Sequence, residues 1–236
     1  MDLGFTLNEY NACIANLNIN GSQCTVCWYI DYNKILHTDP KVVDWVIKEL
    51  EKQFNKMTVT KGKEHSFVAM DIIFRKDKNF EITMKECLRE SIDVFDETIS
   101  KPARTPAKGN LFDEDDEEEK EKLQEVEAEM FHHIVAKLLY VSKQARPDID
   151  LEESFLCTRV ADPTKGDKKK LKRLFEYVKE TINKVRIIGI NGNEVLQTWV
   201  DALYAVHMDM CSHTGATMSL GYGIIHHRSA KQKLNT

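Results

Sequence analysis

Apolar positions in the first third of the chain recur mostly at the short period of β-strands. Short apolar runs reach to about position 37 and are broken by Asn18-Ile19-Asn20-Gly21, a turn signal, so this part reads as sheet. Within it, Thr25-Val26-Cys27-Trp28-Tyr29-Ile30 delivers Asp31 to a polar tip, Tyr32-Asn33-Lys34, and Ile35 resumes the apolar pattern. That is strand, tight turn, strand. The period then lengthens. Asp39 caps a helix with Pro40 in its first turn, and Val43, Val46, Ile47, Leu50 and Phe54 form an apolar stripe at helical spacing. Ser66 to Phe74 and Phe80 to Met84, separated by Arg75-Lys76-Asp77-Lys78-Asn79, predict a second hairpin, and Leu88, Ile92 and Phe95 mark a helix after it. Strand, helix, strand, strand, helix is an α+β layering.

From Lys101 to about Lys122 the periodicity is lost, and the run Asp113-Glu114-Asp115-Asp116-Glu117-Glu118-Glu119 cannot bury enough apolar surface to order itself. A mobile connection is expected there. Consecutive like charges repel and splay, which favours a solvated segment over a cation site. Helical periods return over roughly 123–142, 151–160 and 167–182, the last with Leu171, Leu174, Phe175, Val178 and Ile182 on one face. Past Val185 the pattern is β again: 185–190, the turn Asn191-Gly192-Asn193, then 195–200 ending on Asp201, with strands near 217–220 and 224–227. A new sheet is expected to begin at Val185.

Composition narrows the class. With 236 residues, 42% hydrophobic and 30% charged, the chain can bury a sizeable core as one large domain or two small ones. No run approaches the roughly 18 apolar residues of a membrane helix, and Met1-Asp2-Leu3-Gly4-Phe5 lacks the basic and apolar regions of a signal peptide, so an intracellular protein with no membrane partner is expected. Six cysteines scattered through such a chain read as reduced thiols. Cys24 and Cys27 form a C-x-x-C, but three apart on a strand they face opposite sides, and no second pair follows at zinc-ribbon spacing. The formal charge of −5 averages an acidic block against basic ones and decides little.

Candidate chemistry sits at four places. Asp31, pushed out of a hairpin turn, is where a two-metal nucleotidyl transferase would hold Mg²⁺, although an ordinary hairpin with a solvated aspartate has the same pattern. Asp201, just past a strand, could hold a nuclease cation or cap a turn. Lys168, Lys169, Lys170, Lys172, Arg173 and Lys179 on the second face of the 167–182 helix offer a backbone-binding surface, or serve solubility. The pairs His132-His133 and His226-His227 are adjacent rather than one helical turn apart, which argues against chelation by either pair.

These segments, in this order, resemble the copia-type retrotransposon polyprotein, over the C-terminal part of its reverse transcriptase and the start of its ribonuclease H. Leu3-Gly4-Phe5, Tyr10, Cys13 and Trp28-Tyr29-Ile30-Asp31 resemble the run into the polymerase turn. Phe67-Val68-Ala69-Met70-Asp71-Ile72 resembles the palm segment after it, and Thr105-Pro106 a signature at the linker. The most specific pieces are Lys137-Leu138-Leu139-Tyr140, Ala145-Arg146-Pro147-Asp148-Ile149, and Leu171-Lys172-Arg173 with Tyr177 and Thr181. Trp199-Val200-Asp201-Ala202, Tyr204-Ala205, Ser212-His213-Thr214-Gly215 and Lys231-Gln232 resemble the opening of the ribonuclease H.

The resemblance implies an α+β fold: a partial palm over 1–100, an acidic flexible linker over 101–122, a helical thumb or connection over 123–183, and a truncated ribonuclease H-like sheet over 184–236. It implies Mg²⁺-dependent DNA synthesis on RNA, with Asp31 and Asp201 as metal-holding acids. Arg146 and the basic helix (Lys168, Lys169, Lys170, Lys172, Arg173) would grip an RNA–DNA hybrid, and a parent polyprotein would be the natural context. The departures bear on activity. Tyr32 stands where the family has a second aspartate, and a neutral phenol is a poor Mg²⁺ ligand. The family's remaining polymerase acid lies further upstream than Met1, and the ribonuclease's second acid beyond Thr236. Ala69 replaces a glycine, and Glu153 replaces a small apolar residue near a core face. The expected protein is therefore a reverse transcriptase-derived chain that does not polymerise, with an exposed apolar sheet edge after Thr217. The rival expectation is a non-catalytic nucleic-acid-binding or protein-interaction module on the same scaffold.

Overall fold

Residues 3–113, 115–192 and 195–233 are described by a computed structural model, whose chain is α+β with antiparallel sheets and divides into two units, 1–68 and 69–236. Glu114 of the acidic run, Asn193 of the expected turn, and the terminal Met1, Asp2 and Thr236 lie outside the described residues.

In the first unit β1 (Thr6–Leu7), β2 (Ile14–Ile19), β3 (Ser22–Tyr29) and β4 (Tyr32–Leu36) form an antiparallel meander in chain order, followed by α1 (Pro40–Phe54) and β5 (Glu64–Phe67). Asn20 (φ 53°) and Gly21 (φ 79°) make the two-residue turn between β2 and β3, both left-handed as a tight hairpin of this hand requires. Helix α1 starts where expected, with the Asp39 carboxylate accepting from the Lys41 N–H. Its buried residues are Val42 and Val46, which with Cys24 form a small core. Phe54 is 68% exposed, because at 3.6 residues per turn it has rotated about 80° from Val46 at the helix end. The expected strand from Ser66 to Phe74 is broken at Val68 (φ 50°) and Ala69 (φ 60°), two left-handed residues that end β5 and start β6.

The second unit contains β6 (Met70–Phe74), β7 (Phe80–Thr83), α2 (Lys85–Val94), α3 (Glu125–Gln144), a 3₁₀ turn at Pro147–Ile149, α4 (Asp150–Cys157), α5 (Lys165–Glu180), and then β8 (Arg186–Ile190), β9 (Gln197–Leu203), β10 (His213–Ser219), β11 (Gly221–Tyr222) and β12 (His226–Lys231). No described helix is long and apolar enough to cross a membrane. Helix α5 is capped by a reciprocal pair, Thr164 Oγ accepting from the Asp167 N–H and Asp167 Oδ2 from the Thr164 N–H. Leu171, Leu174, Phe175 and Val178 are buried as the periodicity predicts, against Leu88, Phe95, Phe131, Leu138 and Leu156.

Four expectations need correction. β8 does not open a new sheet: it pairs antiparallel with β7 through Phe80↔Ile188 and Ile82↔Arg186, a partner choice that strand periodicity cannot express. The new sheet is β12-β10-β9, and Asp201 lies inside β9 rather than past a strand. Its exposed apolar edge is β9, all seven residues of which are exposed, and not the chain after Thr217. The 101–122 segment is also less solvated than its composition suggests. Ala103 and Leu111 are buried in the main core, and Asp115, Glu119 and Glu121 pair with Lys170, Lys169 and Lys165 of α5. The main core takes in Ala103, Leu111 and, at its margin, Ile188, and the two units separate at Val68/Ala69.

Arg186 ties the second unit together. Buried in β8, it donates to the carbonyls of Lys143 and Gln144 at the end of α3 and to those of Ile224 and Ile225 before β12. Four backbone acceptors that lie outside regular ladders are thereby satisfied by one guanidinium. Gly223 (φ 71°) sits so close to β8 that a Cβ would meet the Ile187 carbonyl oxygen at 1.7 Å, so only glycine fits there.

Candidate functional site

The hairpin β3–β4 places Asp31 at its tip, beside the register pair Tyr29↔Tyr32. Ile30 takes φ 50° there, a left-handed conformation that a β-branched residue adopts at a cost of roughly 1–3 kcal/mol. A cavity of about 530 Å³ in the first unit borders the tip, and among the described residues Asp31 is the one carboxylate in its lining, with Tyr32, Lys34, Lys61 and His65 nearby. Tyr32 is 61% exposed.

The residues expected to bind nucleic acid are engaged with the protein itself. Lys168 contacts Asp96 (2.8 Å) and Glu127 (2.6 Å), Lys169 Glu119 (2.6 Å), Lys170 Asp115 (2.5 Å) and Lys172 Glu97 (2.7 Å). Lys170 also lies over the Phe155 ring, and Arg173 reaches Thr105. Arg146 is 2% exposed and forms a fork with Asp148 through Nε and Nη2 (2.8 and 2.9 Å) while donating to the carbonyl and hydroxyl of Thr181. Burial raises the Asp148 pKa, but the Arg146 contacts and the Tyr177 hydroxyl outweigh it and hold this carboxyl far below its ordinary value. Arg146 is thus a structural staple of the α3–α5 junction rather than a surface contact for a phosphate.

Asp201 has different company. It pairs in register with Gly215, and Gly215 with Ser229, so these three residues share one face of the β9-β10-β12 sheet. The flanking rows on the same face are Trp199, Thr217, His227 and Leu203, His213, Lys231. That face meets α4. Asp150 Oδ2 accepts from His227 Nδ1 at 2.9 Å, and Ser154 Oγ lies 2.7 Å from Ser229 Oγ. Ser229 Oγ is 2.7 Å from His213 Nε2, and His213 Nδ1 is 3.0 Å from His207 Nε2. His227 Nε2 is buried with no hydrogen-bond partner among the described residues. A cavity of about 630 Å³ is bordered by Asp150, Asp201, His213, His227 and Ser229, with open space above Gly215.

Burial sets the protonation around this face. It pushes His213 down to about 4, assisted by His207, and it lowers His207 as well. Burial also raises Asp150, but hydrogen bonds from His227 and Lys143 more than compensate, leaving that carboxyl below its ordinary value. Behind it, desolvation raises Glu153 to about 7 and Glu152 to about 8. Glu153 accepts from Cys157 Sγ and Ser142 Oγ, so the substituted helix residue noted in the sequence is a buried, hydrogen-bonded acid.

Sequence reasoning reached Asp201 but missed Asp150, Ser154, His207, His213, His227 and Ser229. The available signal was the alternation on β12, where His227 and Ser229 share a face and His226 points the other way to solvent. Among the described residues no three His, Cys, Asp or Glu side chains converge as a metal cage. No known protein family, curated protein or solved structure matches the chain.

Proposed function

We propose that the chain is a scaffold descended from a copia-type reverse transcriptase and ribonuclease H, with a partial palm, a helical connection and a ribonuclease H-like sheet, that does not polymerise DNA. The supporting observation is the cavity at the hairpin tip, where Asp31 is the sole carboxylate among the described lining residues and Tyr32 is its neighbour. Two-metal phosphoryl transfer needs converging hard oxygen ligands, and the lysines beside this one acid oppose a divalent cation instead. Mg²⁺ and an RNA–DNA hybrid are the ancestral ligands of this reading. Primer extension on an RNA template with Mg²⁺ tests it: no extension is expected, and extension above a D31N control would overturn the reading.

A protein-interaction role on the same scaffold is favoured by one observation, the fully exposed β9 with Trp199, Val200 and Leu203. The nucleic-acid-binding role draws less support, since the α5 lysines already hold carboxylates. Filter binding separates the two. Affinity for an RNA–DNA hybrid that falls steeply with salt and is lost in K168A/K169A/K170A would restore nucleic-acid binding.

A further inference from the structure

We propose that the face between α4 and the β9-β10-β12 sheet is a serine-ester hydrolysing site, with Ser229 as nucleophile, His213 as its base and His207 as the group that orients His213. This goes beyond the lineage proposed above and does not rest on it. A nucleophile within hydrogen-bond reach of a base, itself held by a third group, is the arrangement that activates a hydroxyl. Here the two spacings are 2.7 Å (Ser229 Oγ to His213 Nε2) and 3.0 Å (His213 Nδ1 to His207 Nε2). The heavy-atom spacings accommodate the set of protons that this chemistry needs. His213 donates from Nδ1 to the lone pair of His207 Nε2, which leaves its own Nε2 to accept from the Ser229 hydroxyl, while Ser154, whose hydroxyl donates to the Leu151 carbonyl, lies beside Ser229 Oγ at 2.7 Å. Both imidazoles are neutral at pH 7, because burial lowers them.

A second, independent feature lies in the same cavity. His227 is fixed through Nδ1 by Asp150, and its Nε2 is buried at the cavity wall without a partner among the described residues. A buried polar nitrogen left unpaired costs free energy, and with Nδ1–H given to Asp150 the Nε2 lone pair is placed to accept from a hydroxyl in the cavity, such as the attacking water or the departing alcohol. Leu151, Trp199, Leu203 and Ile224 give the lining an apolar part, beside the polar Asp201, Thr217 and Arg228, around a space of about 630 Å³. A carboxylic ester with a short apolar acyl group fits this chemistry.

In the first step the Ser229 oxygen bonds to the acyl carbon, its proton moves to His213 Nε2, and that proton passes to the departing alkoxide, releasing an alcohol. In the second, water gives a proton to His213 and bonds to the acyl carbon, and the carboxylic acid leaves as Ser229 recovers its proton. The depressed basicity of His213 makes it a weak base, so turnover is expected to be slow and covalent labelling the more sensitive readout.

The test uses the full chain with an alkyl fluorophosphonate and with p-nitrophenyl butyrate, the labelled residue being mapped by peptide mass spectrometry. Labelling at Ser229, abolished in S229A and slowed about 100-fold in H213Q, is expected. H207L should slow labelling by no more than H213Q does, while H207Q, which keeps an acceptor for His213 Nδ1, should label faster than H207L. Absence of labelling, labelling that maps to another residue, or butyrate hydrolysis unchanged in S229A would each overturn the proposal. Thermal unfolding of each variant separates loss of the site from loss of the fold. Should H213Q or H207L unfold, the comparison of wild type with S229A decides alone.

Discussion

The two units of this molecule solve burial differently. The first holds a meander and a helix around a small cluster of Cys24, Val42 and Val46, with Ala15 also buried on β2. The second buries α3, α4 and α5 on two sheets and encloses charged groups as well: Arg146, Asp150, Glu152, Glu153 and Asp167 are all under 9% exposed. A small core leaves polar side chains at the surface, where Asp31 has water as its surroundings. A large one can hold buried polar groups in fixed geometry, at a desolvation cost that hydrogen bonds and apolar packing must offset. The preorganised chemistry of the molecule is therefore in the second unit, around α4 and β12, although the hairpin of the first unit is the more recognisable in sequence.

Four changes should sharpen that contrast. Replacing Arg186 with methionine removes the partner of four backbone carbonyls and should cost about 4 kcal/mol, all in the second unit. Denaturant unfolding followed by Trp28 and Trp45 in the first unit and Trp199 in the second, each as the sole tryptophan, would show whether the loss stays there.

The pH dependence should also belong to the second unit. Glu152 and Glu153 ordinarily titrate near 4.5, and burial moves them to about 8 and about 7. The folded state thus binds more protons than the unfolded one between those limits. Stability is greatest below pH 4.5 as far as these two groups are concerned, falls as pH rises through that window, and levels off above pH 8. Glu152→Gln cannot ionise, so at pH 9 it should exceed the wild type in stability by on the order of 3 kcal/mol and match it near pH 4. A urea titration of both proteins at the two pH values reads the difference directly.

Truncating Val46 to alanine should cost about 2 kcal/mol, enough to unfold a first unit with so small a core while hydrogen-exchange protection in α3 and α5 persists. The smallest effect is a gain. Ala69 sits at φ 60°, and Ala69→Gly should raise stability by about 1 kcal/mol through relief of a left-handed strain. No gain in the denaturation midpoint would mean that the turn at Val68-Ala69 relaxes at no cost.

Sequence periodicity located α1, α3 and α5 because their apolar stripes repeat over three or more turns, and it located the Asn20-Gly21 and Asp31 turns because their residues suit those backbones. It failed at pairing. Nothing in Arg186–Ile190 says that it joins β7 rather than the strands that follow, and nothing in the β9 pattern says that one side of it stays open. The lysines of α5 show the same limit from the side of charge. Their helix face was legible, but the acids that occupy them come from Asp96, Glu97, Asp115, Glu119 and Glu127, up to 72 to 75 positions away for the pairs with Asp96 and Glu97.

What the sequence determined alone is local: where helices start, where hairpins turn, and that Tyr32 rather than an acid follows Asp31. Such features depend on residues within a few positions of one another, whose spacing the chain itself displays. Only the tertiary structure could bring Asp150 of α4 to His227 of β12, 77 positions apart, or line up Asp201, Gly215 and Ser229 across three strands. Those contacts follow from strand register and from the docking of a helix on a sheet face. Both are settled by the burial of the whole second unit, and a one-residue slip in register would turn every one of those side chains to the opposite side.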